Sequence, residues 1–396
     1  MNSKSICALA LLIGISLLTG CIGSDQPTEQ PELPDPVTFI DFDVGAYHAC
    51  GLTDHNQTRC WGSNSTGQLG TGDNTFRMIP WPVSHGNERF EAISLGSVHS
   101  CGLSTEREVF CWGANNSGQL GLGDISELQV SVPSGIGGAQ YSVIAVGGAH
   151  TCALSTTREA YCWGFAQYGQ LGTGYVGNDP RPSPGPVSGG LLFETITTGS
   201  DHTCALTVGG DAYCWGLGQA GRLGTGSSEN QSEPQLVAGG LQFNVISAGT
   251  THTCALALDA TAYCWGNGAL GQLGTGGIGS SDVPVAVAGG LTLVSISAGG
   301  GFTCGVTGGG DAYCWGRNDV GQLGDGTSDD RQVPTAVVGG ITFEKVVAGN
   351  GTIDSATCGQ ADNGLVYCWG DGRGGQTGTS ESEIVNSPTR VYGQNG

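Results

Sequence analysis

Between Leu291 and Gly316 the chain reads LTLVSISAGGGFTCGVTGGGDAYCWG. Up to Ser297 apolar and polar residues alternate, the period of a half-buried strand. Ala298-Gly299-Gly300 predicts a turn and Phe302 to Thr307 a second strand. Gly308-Gly309-Gly310 predicts a tight turn and Ala312 to Trp315 a third strand. A Gly-rich loop follows, then a short strand after Pro334. No segment sustains a helical period. Four short strands in about 50 residues is the size of one propeller blade.

The unit recurs seven times. Its markers are the cysteine pairs Cys50/Cys60, Cys101/Cys111, Cys152/Cys162, Cys204/Cys214, Cys254/Cys264, Cys304/Cys314 and Cys358/Cys368. Each second cysteine precedes Trp-Gly. Six repeats then carry Gly-x-Leu-Gly, as in Gly67-Gln68-Leu69-Gly70, and the seventh reads Gly375-Gln376-Thr377-Gly378. The pattern predicts an all-β, seven-bladed β-propeller with four strands per blade.

The cysteine spacing carries a physical expectation. An even separation across a hairpin with an odd-length loop sets the two cysteines opposite each other. Opposed residues on antiparallel strands have Cα atoms about 4.5–5.5 Å apart, close to what a disulfide needs. Seven in-blade disulfides are expected, each stabilising by about 2–3 kcal/mol on the chain-entropy model. A metal site is the competing explanation, because His48, His99, His150, His202 and His252 lie two residues before a first cysteine. Positions i and i+2 share a strand face. Phe302 and Ala356 replace the histidine while the cysteines stay. A ligand would not be so replaceable, so no metal is expected, and the histidines are assigned to contacts between blades. The tryptophans after the cysteines face away from the sulfurs and are assigned to packing between blades. Gly-x-Leu-Gly supplies positive φ in a tight loop, anchored by its leucine.

The chain ends bear on closure. The first repeat opens at Val37-Thr38-Phe39-Ile40 without the Pro-x-x-Val segment that precedes the others. The chain finishes with that segment, Pro388 to Val391, and no strand after it. The two ends are expected to complete one blade between them and to leave no free edge.

These residues resemble the RCC1 repeat family (regulator of chromosome condensation), whose repeat combines a His, an apolar strand, Trp-Gly and Gly-Gln-Leu-Gly. The match runs from Val37 to Gly393. The resemblance implies a seven-bladed propeller. The family's eukaryotic founder exchanges guanine nucleotide on a nuclear GTPase and contacts chromatin. An exported relative of the fold inhibits a β-lactamase through loops on one face. Exchange-type or inhibitor-type regulation is therefore an expectation by analogy, and no interface residue of either is matched here.

Charge narrows the partner. The formal net charge is −21, with 13 Lys and Arg against 34 Asp and Glu. Nucleic acid is bound through clustered Lys and Arg, so no nucleic-acid partner is expected. The N-terminus carries Lys4, then an apolar run from Ile6 to Leu18, too short to span a bilayer comfortably. It ends in Leu18-Thr19-Gly20-Cys21, which resembles the lipobox of bacterial lipoproteins. That resemblance implies a signal peptide at 1–20, loss of Cys7, and lipid attachment at Cys21. With Ile22 rather than Asp next, it implies an outer-membrane location in the envelope. Residues 21–36, with four prolines, are expected to be the acylated tether. The propeller domain is placed at 37–396.

The chain holds no Gly-x-Ser-x-Gly, His-Glu-x-x-His or Walker lysine. No cofactor and no catalytic activity are expected. Function is expected where the repeats differ. The loop after Trp-Gly is polar in blades four to seven. In blades one to three it holds Phe76, Arg77, Met78 and Trp81, then Leu128, then Phe165, Tyr168, Tyr175 and Arg181. Aromatic and Arg residues are the usual anchors of protein interfaces. These loops are expected on one rim, binding a protein partner, with the chain itself monomeric. A glycan or cell-wall fragment is the alternative ligand. An enzyme site would require carboxylates or histidines converging on the central channel.

Overall fold

The computed structural model describes residues 37–395 apart from 85, 87 and 352–354. The expected signal peptide, Cys21 anchor and tether lie outside the described residues. Seven four-stranded antiparallel sheets follow each other along the chain, each built from four consecutive strands. Blade 1 consists of Phe39–Val44, His48–Thr53, Thr58–Gly62 and Arg77–Pro82, from the axis outwards. The first strands of all blades line the axis. Among the described residues the single helical element is a 3-10 turn at Gln219–Gly221.

The strands of blade 6 fall at Leu293–Ala298, Phe302–Thr307, Ala312–Gly316 and Arg331–Ala336. The first three match the alternation. The outer strand begins before Pro334, because its ladder with the third strand starts at Gly316 opposite Arg331. Proline marks this strand without starting it: an outermost strand tolerates a missing N–H on its free side.

Every expected cysteine pair is directly opposed and joined as a disulfide. Cys50–Cys60 has a Cα separation of 4.0 Å. Cys101–Cys111, Cys152–Cys162 and Cys204–Cys214 lie at 4.1 Å. Cys254–Cys264, Cys304–Cys314 and Cys358–Cys368 lie at the same 4.1 Å. These separations fall below the expected range, at the close spacing of a non-hydrogen-bonded pair. The register agrees, setting Cys101 opposite Cys111, Cys204 opposite Cys214, Cys254 opposite Cys264 and Cys358 opposite Cys368. The sulfurs pack toward the next blade. Around Cys50 and Cys60 gather Leu52, Leu69 and Val83 of blade 1 with Phe90, Ile93, Leu95 and Trp112 of blade 2. The tryptophan of one blade thus covers the disulfide of the blade before it. Trp163 covers Cys101–Cys111 in the same way, and Trp265 covers Cys204–Cys214. Trp315 covers Cys254–Cys264, and across the chain ends Trp61 covers Cys358–Cys368. All seven tryptophans that follow a second cysteine, Trp215 and Trp369 included, are fully buried.

Ring closure differs from the expectation. The two chain ends do not share a blade. Blade 7 owns all four of its strands, Phe343–Ala348, Ala356–Ala361, Val366–Asp371 and Ile384–Arg390. The break in the chain falls in the link between an outer strand and the next inner strand. That link belongs to no sheet, so both end blades stay complete. The ends meet there: Val37 N donates to Gly393 O at 3.0 Å, and Gln360 Nε2 donates to Phe39 O at 2.8 Å. The outer strand of each blade pairs with no further strand, and its outward side accepts an N–H from the loop of the blade before it, as Ser131 O does from Gly72 N.

Candidate interaction surface

The repeated polar residues are consumed by joining blades. Ser100 Oγ donates to Gln68 O at 2.8 Å, and Trp112 Nε1 donates to the same carbonyl at 2.9 Å. Ser100 has thereby used its proton, so His48 Nε2, 2.7 Å away, must be the donor to it. The same relay links His99 to Thr151, His150 to Thr203, His202 to Thr253 and His252 to Thr303. These rings are neutral. Burial holds His48, His99, His150 and His252 down to about 3, and pushes His202 well below its ordinary value. Phe302, fully buried, stands in for the histidine of blade 6. Among the described residues no group of three or more His, Cys, Asp or Glu could hold a metal ion.

The axis holds a cavity of about 220 Å³, lined by small hydroxyl and aliphatic residues with Asp43 as its one carboxylate. Ser94, Thr197, Ser247 and Ser297 each accept a backbone N–H of the neighbouring blade, at Val146, Ala248, Ala298 and Ala348. Asp43 does the same for Leu95 at 2.7 Å. Burial pushes its carboxyl up to about 6, against the pull of the Lys345 ammonium and the N–H groups of Leu95 and Val44. Among the described residues no second acid and no histidine lines this cavity, so its walls offer no acid–base pair.

The nine rim residues separate into groups within single blades. Arg77, Met78 and Trp81 lie in the outer strand of blade 1, with the Arg77 guanidinium 4.8 Å from the Trp81 ring. Arg77 also pairs with Asp73 at 2.6 Å. Phe76, just before that strand, is 58% exposed. Leu128, 63% exposed, precedes the outer strand Gln129–Gly135 of blade 2. In blade 3, Phe165 lies near the end of the third strand, Ala160–Ala166, and meets Tyr168 edge-on at 6.0 Å. Arg181 lies in the outer strand Gly177–Pro186, stacked 3.7 Å above Tyr175, whose hydroxyl donates to Asp179 at 3.3 Å. Five of the nine are therefore strand residues and not loop residues, because the ladders between third and outer strands extend further than the prolines suggest.

Backbone contacts connect these groups around the rim. Gly72 N of the blade 1 loop donates to Ser131 O on the outer strand of blade 2. Gly123 N of the blade 2 loop donates to Pro182 O on that of blade 3. Pro182 in turn lines a cavity of about 560 Å³, together with Leu171, Thr173, Tyr175, Pro180, Arg181 and Pro186. The sequence reading missed this proline wall and the exposed Val176 beside it. Proline at every second position from 180 to 186 was the available signal. Apolar exposure is not confined to these blades: Ile278 in the blade 5 loop is 60% exposed.

A closed seven-bladed ring, whose repeated polar residues serve its own joints and loops, defines a scaffold that presents variable loops and edges. The chain belongs to the Regulator of chromosome condensation (RCC1) repeat family. The repeat model matches residues 60–103, 108–154, 159–206, 209–256, 259–306 and 309–353. The RCC1-like propeller is, across its family, mostly a non-enzymatic interaction and regulation fold. Among curated relatives, the ultraviolet-B receptor UVR8 of Arabidopsis thaliana is 30% identical over 48% of this chain and 44% of its own. The human probable E3 ubiquitin-protein ligase HERC6 is 31% identical over 52% of this chain and 22% of its own. The chain spans less than half the length of these relatives. Yeast RCC1 (Prp20), solved bound to Kap60, superposes with a TM-score of 0.73 at 22% identity, covering 90% of this chain and 84% of that one. Human WBSCR16 gives 0.77 at 20% identity, covering 85% and 94%.

Proposed function

We propose that this chain is a non-catalytic protein-binding propeller, tethered to a bacterial envelope membrane by lipid on Cys21, whose partner docks on the rim of blades one to three. The observation that carries the docking site is the 560 Å³ cavity with Tyr175 and Arg181 stacked at its wall. A preformed slot flanked by Tyr, Arg and exposed aliphatics matches the anchors of protein interfaces. The fold's use in Prp20, whose structure was reported with its binding to Gsp1p and histones, supports a protein partner in kind and not in identity.

The test is affinity capture from crosslinked envelope membranes with wild-type chain and with Tyr175→Ala plus Arg181→Ala. Loss of a reproducible partner in the double variant is expected; an unchanged set of partners would remove the rim assignment. Cys21→Ser should move the protein from the membrane fraction to the soluble fraction. Retention in the membrane fraction would remove the anchor. The free chain should run as a monomer in light scattering.

A further inference from the structure

The loop after Trp-Gly in each blade lies against the turn between the first two strands of the next blade. Five of these loops are locked in one way. The glutamine of Gly-Gln-Leu-Gly accepts, through Oε1, the N–H two residues earlier: Thr66, Ser117, Tyr168, Leu270 and Val320 donate at 2.8–3.0 Å. The side chain at that earlier position then covers the joint. Thr66 Oγ1 reaches Val98 O of the next blade, and Leu270 closes against Gly301.

The joint between blades 7 and 1 lacks this cover. Gly374 stands where the other loops carry a side chain. Beneath it Gln376 is 3% exposed, yet its Oε1 has no hydrogen-bond partner. A Cβ at 374 would come within 2.6 Å of that oxygen. The result is an open notch of about 460 Å³ lined by Tyr47, Ser63, Asp371, Arg373, Gly374 and Gln376. That volume is within the usual range for small-molecule sites.

The chemistry of the lining selects the ligand. A buried amide oxygen without a partner calls for a donor from outside. Ser63 and Tyr47 carry hydroxyls, which can both donate and accept. The one cation of this lining, Arg373, is held by Asp371 through Nε to Oδ1 and Nη2 to Oδ2, each at 2.9 Å, so this pair brings no net charge. The chain's formal charge of −21 works against anions. An uncharged molecule rich in hydroxyls fits these conditions. We propose that the notch between blades 7 and 1 binds one unit of a neutral sugar, with Gln376 Oε1 accepting a ligand proton. This site is independent of the protein-binding rim and does not rest on it.

The experiment is saturation-transfer NMR followed by titration of the full chain with glucose, N-acetylglucosamine and glucuronate. Dissociation constants for the neutral sugars are expected on the order of millimolar. Gly374→Leu copies the residue that blade 5 carries at this position, so it should fold and should weaken sugar binding by about tenfold or more. Tyr47→Ala gives a second, non-filling variant should the first melt early, and the same loss is expected. Three results would overturn the proposal: no neutral sugar binding at 20 mM as a rough ceiling, glucuronate binding more tightly than glucose, or both variants binding like wild type.

Discussion

Six joints between blades are crossed by the chain itself, and the seventh is not. At that seam Lys345 of the blade 7 inner strand reaches across to blade 1. Its Nζ lies 2.7 Å from Asp41 Oδ1, donates to Phe42 O at 3.0 Å and sits 5.1 Å from the Phe42 ring. Lys345 is one of two lysines in the chain, the other being Lys4. Its counterparts in blades 2 to 6 are Ala92, Val143, Thr195, Val245 and Ser295. Lys345→Met keeps most of the stem and removes the charge and the donor. The side chains of the ion pair are 43% and 38% exposed, so the pair itself contributes only about 0.5 kcal/mol. The hydrogen bond to Phe42 O adds about 1 kcal/mol and the ring contact about 0.5 kcal/mol.

A total of about 2 kcal/mol would move the melting temperature of so large a domain by only a few degrees. It would raise a local opening constant about thirtyfold. Hydrogen exchange is therefore the assay. Amides of Phe39–Val44 and Phe343–Ala348 should exchange about thirtyfold faster in the variant, with the inner strands of blades 3 to 5 unchanged. Thr195→Ala, at the equivalent position of blade 4, is the control and should leave the seam as it is. A second readout is the Asp43 titration. Lys345 lowers it from the value burial alone would give, so its midpoint should rise above about 6 in Lys345→Met. Unchanged seam exchange, or equal acceleration in all seven blades, would refute the clasp.

Acid should destabilise the ring through its histidines. Their folded pKa values lie below the unfolded value of 6.5, so unfolding takes up protons and stability falls as pH drops from about 6.5 toward 3. Asp43 opposes this: its folded pKa is raised to about 6, so its contribution is fully present below 3.8 and is lost as pH rises through 6. The histidines outnumber it, and each contributes about 1.4 kcal/mol per pH unit. His150→Phe, which copies blade 6, should flatten the urea-measured slope by about one proton. Replacing Cys304 and Cys314 by alanine together should cost about 2–3 kcal/mol in urea unfolding under oxidising conditions, and nothing further in reductant at that hairpin. Trp163 Nε1 donates to Gln119 O, whereas Trp265 Nε1 has no partner, in the joint where Arg222 replaces the glutamine. Trp163→Phe should therefore cost about 1 kcal/mol more than Trp265→Phe in thermal or urea unfolding.

The blade was legible in the sequence because strands and disulfides depend on local spacing. A separation of ten positions sets Cys304 opposite Cys314, and period-two alternation to Ser297 fixes a face. The same spacing joins Cys358 to Cys368 in blade 7, where the Gly-x-Leu-Gly motif has degenerated. Closure was misjudged because the sequence frames the repeat at Pro-x-x-Val, while the sheets are framed by hydrogen bonding. The cavity of blade 3 was illegible for a different reason. It needs a second register irregularity, between Gly164 opposite Arg181 and Ala166 opposite Gly177, which blades 4 to 6 lack. The notch at Gly374 arises where one blade's loop meets the next blade's turn, so a missing side chain becomes a hole only in the folded ring. Thr377 in the degenerate seventh motif was the visible hint.

The outer strands pair with no further strand on their outward side, and their sequence decides whether a partner could add one. Every outer strand carries proline: Pro80, Pro133, Pro182, Pro234, Pro284, Pro334 and Pro388 among them. In blade 3 the direction of the missing N–H groups can be worked out. The close approach of Cys152 and Cys162, at 4.1 Å, marks a non-hydrogen-bonded pair, so the peptide groups of Cys162 face the outer strand. Its partner Gly185 then faces back, and Val187 N donates to Ala160 O in agreement. Residues of the opposite parity, Pro180, Pro182, Pro184 and Pro186, point outward with no N–H to offer. The longest edge of the ring is thus closed to strand addition, by which an exposed edge would otherwise recruit a passing chain. A partner at blade 3 must be held by side chains in the Tyr175–Arg181 cavity and not by a backbone ladder. Replacing Pro184, which lies on this edge but outside the cavity lining, by threonine should therefore leave partner affinity nearly unchanged while raising self-association, measured by light scattering at high concentration. A large gain in partner affinity instead would show that the edge, and not the cavity, is the docking element.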